Sequence, residues 1–276
     1  MKVGVVLPSY YDGEDWESGI VKLRDSLHYI NSIDNLHFLI NFQCVPDDKF
    51  YIAQSLINQI VAENTTWECS YRVNGKYTPV SMVRIRNDCM TLDRTCDVYM
   101  FMDDDYVFRE KSAEQYQFVI DSFEKDPNLG LVMCAGSLGG YNYVGVLKYD
   151  YAKFWMTSKG LFLRNINRSL SSPIYPDSLL EYHVGGYEES IASIEIFKAG
   201  LKMATYFNCS TYLPRASHIE PDREVPDDIH NFALSSKSVE DYIMKEFGCR
   251  YPITDARCIP QFVRSLYKRG LGYRYE

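Results

Sequence analysis

VYMFMDDD, residues 98–105, joins an unbroken apolar run to three consecutive aspartates. A short apolar run is typical of a strand buried in a parallel sheet. Adjacent carboxylates repel one another unless a cation lies between them, and Mg²⁺ and Mn²⁺ bind carboxylate and phosphate oxygens. The stretch therefore predicts a strand with a metal site at its carboxyl end. The alternative is a solvated acidic turn before a helix.

The same stretch predicts how the three aspartates divide. Side chains alternate along a strand, so Asp103 and Asp105 are expected to point together and Asp104 to point away. A phosphate-bound metal would then contact Asp105 directly. Asp103 would contact the metal or the ribose, with Asp104 in support.

Upstream of this run, strand and helix patterns alternate. Strands are predicted at 2–7, 36–42, 67–73 and 98–102, and helices at 16–33, 50–61 and 79–92. This alternation predicts an α/β fold with a mostly parallel sheet flanked by helices. Such sheets bind ligands beyond the carboxyl ends of their strands, so the loop 9–15 and the aspartates 103–105 are candidates for one site.

The second half of the chain is less regular. A helix is predicted at 112–123, a strand at 129–135, strands of mixed order within 144–163, and helices at 188–199 and 239–247. The segments 136–140 and 165–182 are either lids or plain connections. We expect a single domain, 1–276, with a donor-binding half (1–110), an acceptor and catalytic half (111–256) and a basic tail (257–276).

Composition narrows the class of protein. The chain has 276 residues, a net charge of −8 and a pI of about 5.2, which argues against a large nucleic-acid footprint. No apolar run approaches the length of a membrane span, and the start resembles a strand more than a signal peptide. The eight cysteines form no CxxC pair and are expected to be free thiols. We therefore expect a cytoplasmic protein, or one in the host cytoplasm if a phage encodes it.

Four segments in order resemble the family-2-type glycosyltransferases of the GT-A fold. They are VGVVLPSY (3–10), VRIRNDCM (83–90), the acidic run 103–105 and GGYEESIASIEIFKAG (185–200). Asp-x-Asp alone is common, whereas four matches in order are much more specific. The resemblance implies a GT-A-type, Rossmann-like sheet with an irregular acceptor-side region towards the C-terminus.

The resemblance also implies roles for particular residues. The expected donor-binding residues are Pro8, Ser9, Tyr10, Arg86, Asn87, Asp103 and Asp104. The expected metal ligands for Mn²⁺ (or Mg²⁺) are Asp103, Asp105 and His218, since a histidine beside carboxylates favours Mn²⁺. Glu189 is the first candidate for the general base and Glu188 the second.

Each of these roles has a plainer alternative. Two glutamates in a first helical turn also suit the helix dipole, and His218 also fits a surface loop. Arg84 and Arg86 point in different directions on a helix, and the resemblance selects Arg86 for the diphosphate. Three departures from the family stand out. Asn41-Phe42-Gln43-Cys44 replaces an acidic pair, the catalytic Glu-Asp pair appears as Glu188-Glu189 directly after the glycines, and Glu195 replaces an arginine.

The sequence thus predicts a metal-dependent transfer of sugar from a nucleoside-diphosphate sugar, first of all a UDP-sugar, to an acceptor hydroxyl, with inversion through a glutamate base. The acceptor is open between a glycan, a lipid, a protein and a hydroxymethylated base in phage DNA. One alternative is a sugar-nucleotide nucleotidyltransferase, although the acidic loop 9–15 lacks the basic residue expected there. Another is a binding protein on the same scaffold.

The basic tail adds one more open question. It carries five basic residues interleaved with aromatic ones, namely Arg257, Arg264, Lys268, Arg269 and Arg274. Such a segment can contact the phosphate groups of the donor or an anionic acceptor. The alternative is an amphipathic terminal helix docked on the acidic body.

Overall fold

The computed structural model describes most of the first half of the chain and separate segments of the second. The described residues are 1–74, 82–135, 147–149, 160–168, 174–175, 188–207, 237, 240–245, 264 and 266–270. His218, the glycine-rich segment 136–140 and most of the basic tail lie outside them.

Eight strands in the described residues form one sheet. They are β1 (Val3–Tyr10), β2 (Leu36–Gln43), β3 (Glu68–Asn74), β4 (Val98–Phe101), β5 (Leu129–Ala135), β6 (Leu147–Tyr149), β7 (Leu161–Arg164) and β8 (Lys202–Phe207). Their order is β3-β2-β1-β4-β7-β5-β8-β6. β7 runs antiparallel to β4 and β5, and β6 runs antiparallel to β8, while the other pairs are parallel. The predicted mostly parallel sheet is therefore confirmed.

Helices cover both faces of the sheet. They are α1 (Glu14–Ser26), α2 (Phe50–Glu63), α3 (Met82–Met90), α4 (Ser112–Lys125) and α5 (Glu188–Lys198). The apolar sides of α1, α2 and α4 pack in one core with Val5 and Phe38 of the sheet. The apolar sides of α3 and α5 pack in a second core with Leu39 and Tyr99. Alternate residues of the central strands β1, β2, β4 and β5 thus face opposite cores, which explains why these strands are apolar almost throughout.

The first strand is longer than its sequence indicates. A loop is predicted from Ser9, but β1 stays paired with β2 as far as Tyr10 and Gln43. Pro8 is tolerated because its nitrogen lies on the β4 side, and β4 ends at Phe101 before it could accept a hydrogen bond there. Ser9 and Tyr10 are therefore held in a strand at the carboxyl edge of the sheet.

The first helix is shorter than its sequence indicates. A helix is predicted to Ile33, but α1 ends at Ser26 and a 3₁₀ turn follows over Leu27–Ile30. The buried Ser26 hydroxyl donates to the Leu23 carbonyl (2.8 Å) and accepts from the Phe108 N–H (3.0 Å). Such local bonding competes with the helical ladder and tightens the turn. No helix within the described segments is both long and apolar enough to cross a membrane.

Candidate donor site at the carboxyl edge of the sheet

Ser9 links three elements at the carboxyl edge. Its hydroxyl accepts a hydrogen bond from the Trp16 indole N–H (2.8 Å) and donates one to Asp104 Oδ2 (2.8 Å). All three side chains are buried. Because a hydroxyl has one proton, the indole donor directs that proton towards the carboxylate. The first strand, the first helix and the acidic run are therefore tied together as the sequence predicts for a shared site.

The three aspartates differ in how far they are exposed. The strand β4 ends at Phe101, and the Tyr106 N–H donates to the Asp103 carbonyl (3.2 Å), which closes a turn over residues 103–106. Strand alternation does not extend through a turn, so it no longer supports the predicted pairing of Asp103 with Asp105, which stays a prediction. The Asp103 side chain is about half exposed (51%), whereas Asp104 and Asp105 are buried. The Asp103 carboxylate therefore faces solvent, and those of Asp104 and Asp105 are buried.

Tyr106 is the last residue of this turn. Its buried position, together with the Asp103 carboxylate, raises its pKa well above the ordinary value. The phenol therefore stays protonated throughout the neutral range.

Arg86 reaches the same turn from helix α3. Its buried guanidinium has Nη2 at 3.5 Å from Asp103 Oδ1, and its carbon lies 5.3 Å from the centre of the Phe101 ring. Arg84, two residues earlier, is exposed. The neighbouring Asn87 donates from Nδ2 to the Tyr175 carbonyl (3.2 Å). Helix α3 thus presents one cation to the acidic run.

A cluster of carboxamides occupies the carboxyl ends of β2 and β3. Asn41 Oδ1 accepts hydrogen bonds from Gln43 Nε2 (2.6 Å) and Asn74 Nδ2 (3.0 Å). Asn41 is fully buried. This cluster fills the place where the family carries an acidic pair. It consists of neutral groups that offer both donors and acceptors.

These contacts establish a set of polar groups at one edge of a mixed, mostly parallel sheet. No family model matches the sequence, and no curated protein sequence matches it. Solved structures do match. One is the mannosyltransferase PcManGT from Pyrobaculum calidifontis in complex with GDP-Man and Mn²⁺, with a TM-score of 0.61 and 14% identity over 98% of this chain and 75% of that one. The chain has the GT-A fold.

A second structure supports the same conclusion about the fold. S. aureus TarS 1–349 in complex with UDP-GlcNAc has a TM-score of 0.55 and 11% identity, over 97% of this chain and 80% of that one. At these identities the likeness concerns the fold. The predicted GT-A-type fold is therefore confirmed.

Within this GT-A fold, helix α5 begins at the edge that carries the aspartates. Its C-terminal end lies at the amino edge, because Lys202 at the start of β8 donates to the Asn128 carbonyl just before β5. Since β8 is parallel to β5 and α5 packs on both strands, the start of the helix points towards the carboxyl edge. Glu188 and Glu189 form this first turn.

Several predicted residues are not brought together by the described structure. His218 lies outside the described residues, so its role as a metal ligand stays a prediction. Pro8 and Tyr10 lie in β1 on either side of Ser9. Glu195, at the position where the resembled family has an arginine, accepts hydrogen bonds from Lys198 Nζ (3.1 Å) and the Tyr242 hydroxyl (3.3 Å).

Sequence reasoning assigned no role to Trp16 and Asn74. Trp16 was visible only as the first apolar position of a helix, and Asn74 as part of a turn. The signal for the carboxamide cluster was available in part, because Asn41 and Gln43 are polar residues two positions apart at the end of an apolar strand. Such spacing places both on one face of the sheet.

Proposed function

We propose that this GT-A chain is a metal-dependent glycosyltransferase that moves a sugar from a nucleoside-diphosphate sugar to an acceptor hydroxyl. The observation that carries the proposal is the cluster of three aspartates beyond β4, backed by Ser9 and faced by Arg86. Ligands of such sheets bind at this edge. The complexes of the two similar structures with GDP-Man and UDP-GlcNAc support a nucleotide-sugar donor.

The carboxylates at this edge suit a hard divalent cation as metal ligands. Asp103, Asp104 and Asp105 offer only carboxylate oxygens, which are the ligands that Mg²⁺ and Mn²⁺ prefer. Asp103 and Asp105 would hold the ion, with His218 as a further ligand that favours Mn²⁺. When bound, the ion neutralises charge on the departing diphosphate.

The protein's own groups would position the donor. Arg86, a buried guanidinium, would pair with the diphosphate in a charge-assisted hydrogen bond. Asn87 holds the carbonyl of Tyr175, whose ring packs edge-on against Phe101 beneath that guanidinium. The Pro8-Ser9-Tyr10 strand end would line the nucleoside, and Ser9 would keep the Asp104 carboxylate in one orientation.

The start of helix α5 would supply the general base. A carboxylate there can take the proton of the acceptor hydroxyl while that oxygen attacks the sugar from the face opposite the diphosphate. This geometry inverts the configuration of the sugar. Glu189 is our first assignment and Glu188 our second.

The acceptor side is proposed more broadly. The candidates are a glycan, a lipid, a protein and a modified DNA base, with the basic tail contacting phosphate groups of donor or acceptor. A UDP-sugar is our first choice of donor, and a cytoplasmic or host-cytoplasmic location is the corresponding prediction. We propose one domain that spans residues 1–276.

Thermal shift with a panel of nucleotide-sugars and Mn²⁺ tests the proposal. A donor at about 100 times its Kd adds about 2.7 kcal/mol and raises Tm by about 5 °C or more. The shift should require Mn²⁺ and vanish in Asp105→Ala. If no nucleotide-sugar shifts Tm with the ion present, the proposal fails. Release of pyrophosphate from a nucleoside triphosphate and a sugar phosphate would instead indicate a nucleotidyltransferase.

Glutamine variants test the base. Glu189→Gln should lower kcat by about 10²-fold or more with little change in KM, because the base acts in the transition state. Glu188→Gln is its matched control, and an inverted ranking would move the assignment to Glu188.

A further inference from the structure

A second polar cluster lies at the amino edge of the sheet, at the far end of the strands from the donor site. His37 stands near the start of β2, Glu68 begins β3, and Asp93 and Cys96 lie between α3 and β4. His37 Nδ1 is 2.8 Å from Asp93 Oδ2 and 3.2 Å from Glu68 Oε2. Cys96 Sγ is 3.7 Å from Asp93 Oδ2. The ligand atoms of His37, Asp93 and Cys96 therefore lie close together, and Glu68 adjoins this group through its contact with His37.

We propose that His37, Asp93, Cys96 and Glu68 bind a zinc ion at the amino edge. Imidazole nitrogen, thiolate sulfur and carboxylate oxygen together are the ligands of tetrahedral zinc sites. Thiolate and imidazole also discriminate against the Mn²⁺ or Mg²⁺ proposed for the aspartates at the other edge.

The distances suit four-coordinate zinc. Zn–N and Zn–O bonds of roughly 2.0–2.1 Å and Zn–S bonds of roughly 2.3 Å place neighbouring tetrahedral ligands about 3.3–3.7 Å apart. The ligand atoms of His37, Asp93 and Cys96 all lie within 4.8 Å of one another. Zinc would draw these three ligand atoms to that separation, with Glu68 moving in from the exposed side as the fourth ligand.

The groups behind the ligands are already arranged as around a metal. His37 turns its other ring nitrogen, Nε2, towards Ser70 Oγ (2.9 Å). Asp93 Oδ1 accepts from the N–H and hydroxyl of Thr95 (both 2.7 Å), which leaves Oδ2 for the ion. The Tyr99 hydroxyl donates to the Asp93 carbonyl (2.9 Å). Such outer partners fix the orientation of ligating side chains.

A cation of the protein already contacts two of these ligands. Lys2 Nζ lies 2.9 Å from Asp93 Oδ2 and 2.6 Å from Glu68 Oε2. The Lys2 side chain is 32% exposed, so it can swing into solvent when zinc enters. Burial by itself lowers the pKa of Lys2, but the bonds to Asp93 and Glu68 outweigh it and raise that pKa. Zinc must therefore compete with a firmly held ammonium.

Only the thiolate of Cys96 is a zinc ligand, so binding releases the thiol proton to solvent.

Co²⁺ serves as the spectroscopic probe, because its complex with a thiolate absorbs by charge transfer. Metal-stripped full-length protein is titrated with Co²⁺ and then with Zn²⁺. We expect one Co²⁺ to bind per protein molecule and to give a thiolate charge-transfer band. Zn²⁺ should then displace the Co²⁺ and remove the band. In Lys2→Met the affinity should rise by about 10-fold, the effect of removing one like-charge contact near a protein surface. Lys22→Met, which removes an exposed charge from α1, should change nothing.

Variants of the proposed ligands show which cysteine gives rise to the Co²⁺–thiolate absorption band. Cys96→Ser should abolish it, and Cys134→Ser, which changes another buried cysteine, should keep it. Glu68→Gln should weaken binding by about 10-fold. Because 59% of the Glu68 side chain is exposed, that variant does not depend on the tolerance of the core.

Three results would overturn the inference. They are no thiolate band in Lys2→Met, a band that persists in Cys96→Ser, and unchanged affinity in Glu68→Gln. Asp105→Asn should leave the band unchanged, so this site and the donor site are tested separately.

Discussion

The two edges of the sheet treat their charges in opposite ways. At the amino edge, Lys2 lies between Glu68 and Asp93, and His37 bonds the same Asp93 oxygen. At the carboxyl edge, the guanidinium of Arg86 faces Asp103, the first of three consecutive aspartates. One edge places a lysine between two carboxylates, whereas the other places three carboxylates next to one another in sequence.

The two arrangements imply different roles for the charged groups at the two edges. Pairing within the protein stabilises the fold, because a paired carboxylate favours the native state. Adjacent carboxylates repel one another until a cation arrives. Removing a carboxylate should therefore damage stability at one edge and ligand binding at the other.

The largest effect is expected from Asp105→Asn. Loss of a metal ligand should lower transfer or donor hydrolysis by about 10³-fold, comparable to removal of a key electrostatic group from an active site. The free energy of unfolding without ligand should change little, because asparagine keeps the size of the side chain and one carbonyl oxygen as an acceptor. Steady-state rates and urea unfolding of the same preparation measure both quantities. Equal activity in the variant and the wild type would contradict the assignment of Asp105 as a metal ligand.

Next comes Asp93→Ala. Although burial raises the pKa of Asp93, hydrogen bonds from Lys2, Thr95 and His37 outweigh it and hold the pKa well below its ordinary range. Removing this carboxylate takes one of two carboxylate partners from Lys2 and an acceptor from His37 and Thr95, and it should lower the free energy of unfolding by about 3 kcal/mol. Urea unfolding measures the loss. Nucleotide-sugar affinity below the transition should stay at the wild-type value, and a parallel loss would mean that the two edges are coupled.

A smaller effect separates the two arginines of helix α3. Arg86→Met should weaken nucleotide-sugar binding by about 1.5–3 kcal/mol, the contribution of a hydrogen bond to a charged group. Arg84→Met is the matched control, because Arg84 is exposed on the same helix. Calorimetric titration gives both affinities. Equal losses in the two variants would indicate long-range charge rather than a contact.

The smallest expected effect is on the stability of the protein at acidic pH. The pKa of Glu68 is lowered mainly by its hydrogen bond with Lys2, and that of Asp93 is lowered too. A folded-state pKa below the unfolded value adds stability above the unfolded pKa, and this stability is lost as pH falls through the folded pKa. The stability difference between wild type and Asp93→Asn should therefore be constant from neutral pH to roughly pH 5 and shrink below roughly pH 4. Urea midpoints across this range check it.

The regular part of the fold could be read from the sequence. β2, α2 and β5 lie within a residue or two of their predicted bounds, because unbroken apolar runs and helical spacing are local signals. The turn over residues 103–106 could not be read, because nothing in the sequence marks Phe101 rather than Met102 as the end of β4. The position of the aspartates was predictable, but not which of them is exposed.

Contacts between distant residues were also out of reach. The bond between His37 and Asp93 and the one between Asn41 and Asn74 join residues from different elements. Periodicity reports which face a residue occupies, and it does not report which neighbour stands opposite. Arg86 was selected by resemblance, and the physical reason for its buried position, packing over Phe101, required the structure.

The hydrogen-bonded chain from Trp16 through Ser9 to Asp104 has an optical consequence. The indole N–H lies one hydroxyl away from a carboxylate of the donor site, so charge arriving at Asp104 changes the field across the indole ring. The protein has two other tryptophans, Trp67 and Trp155, and the Trp67 indole N–H donates to the Ile33 carbonyl. With these two replaced by phenylalanine, the wavelength of the fluorescence emission maximum of Trp16 would report occupancy of the donor site without any added label.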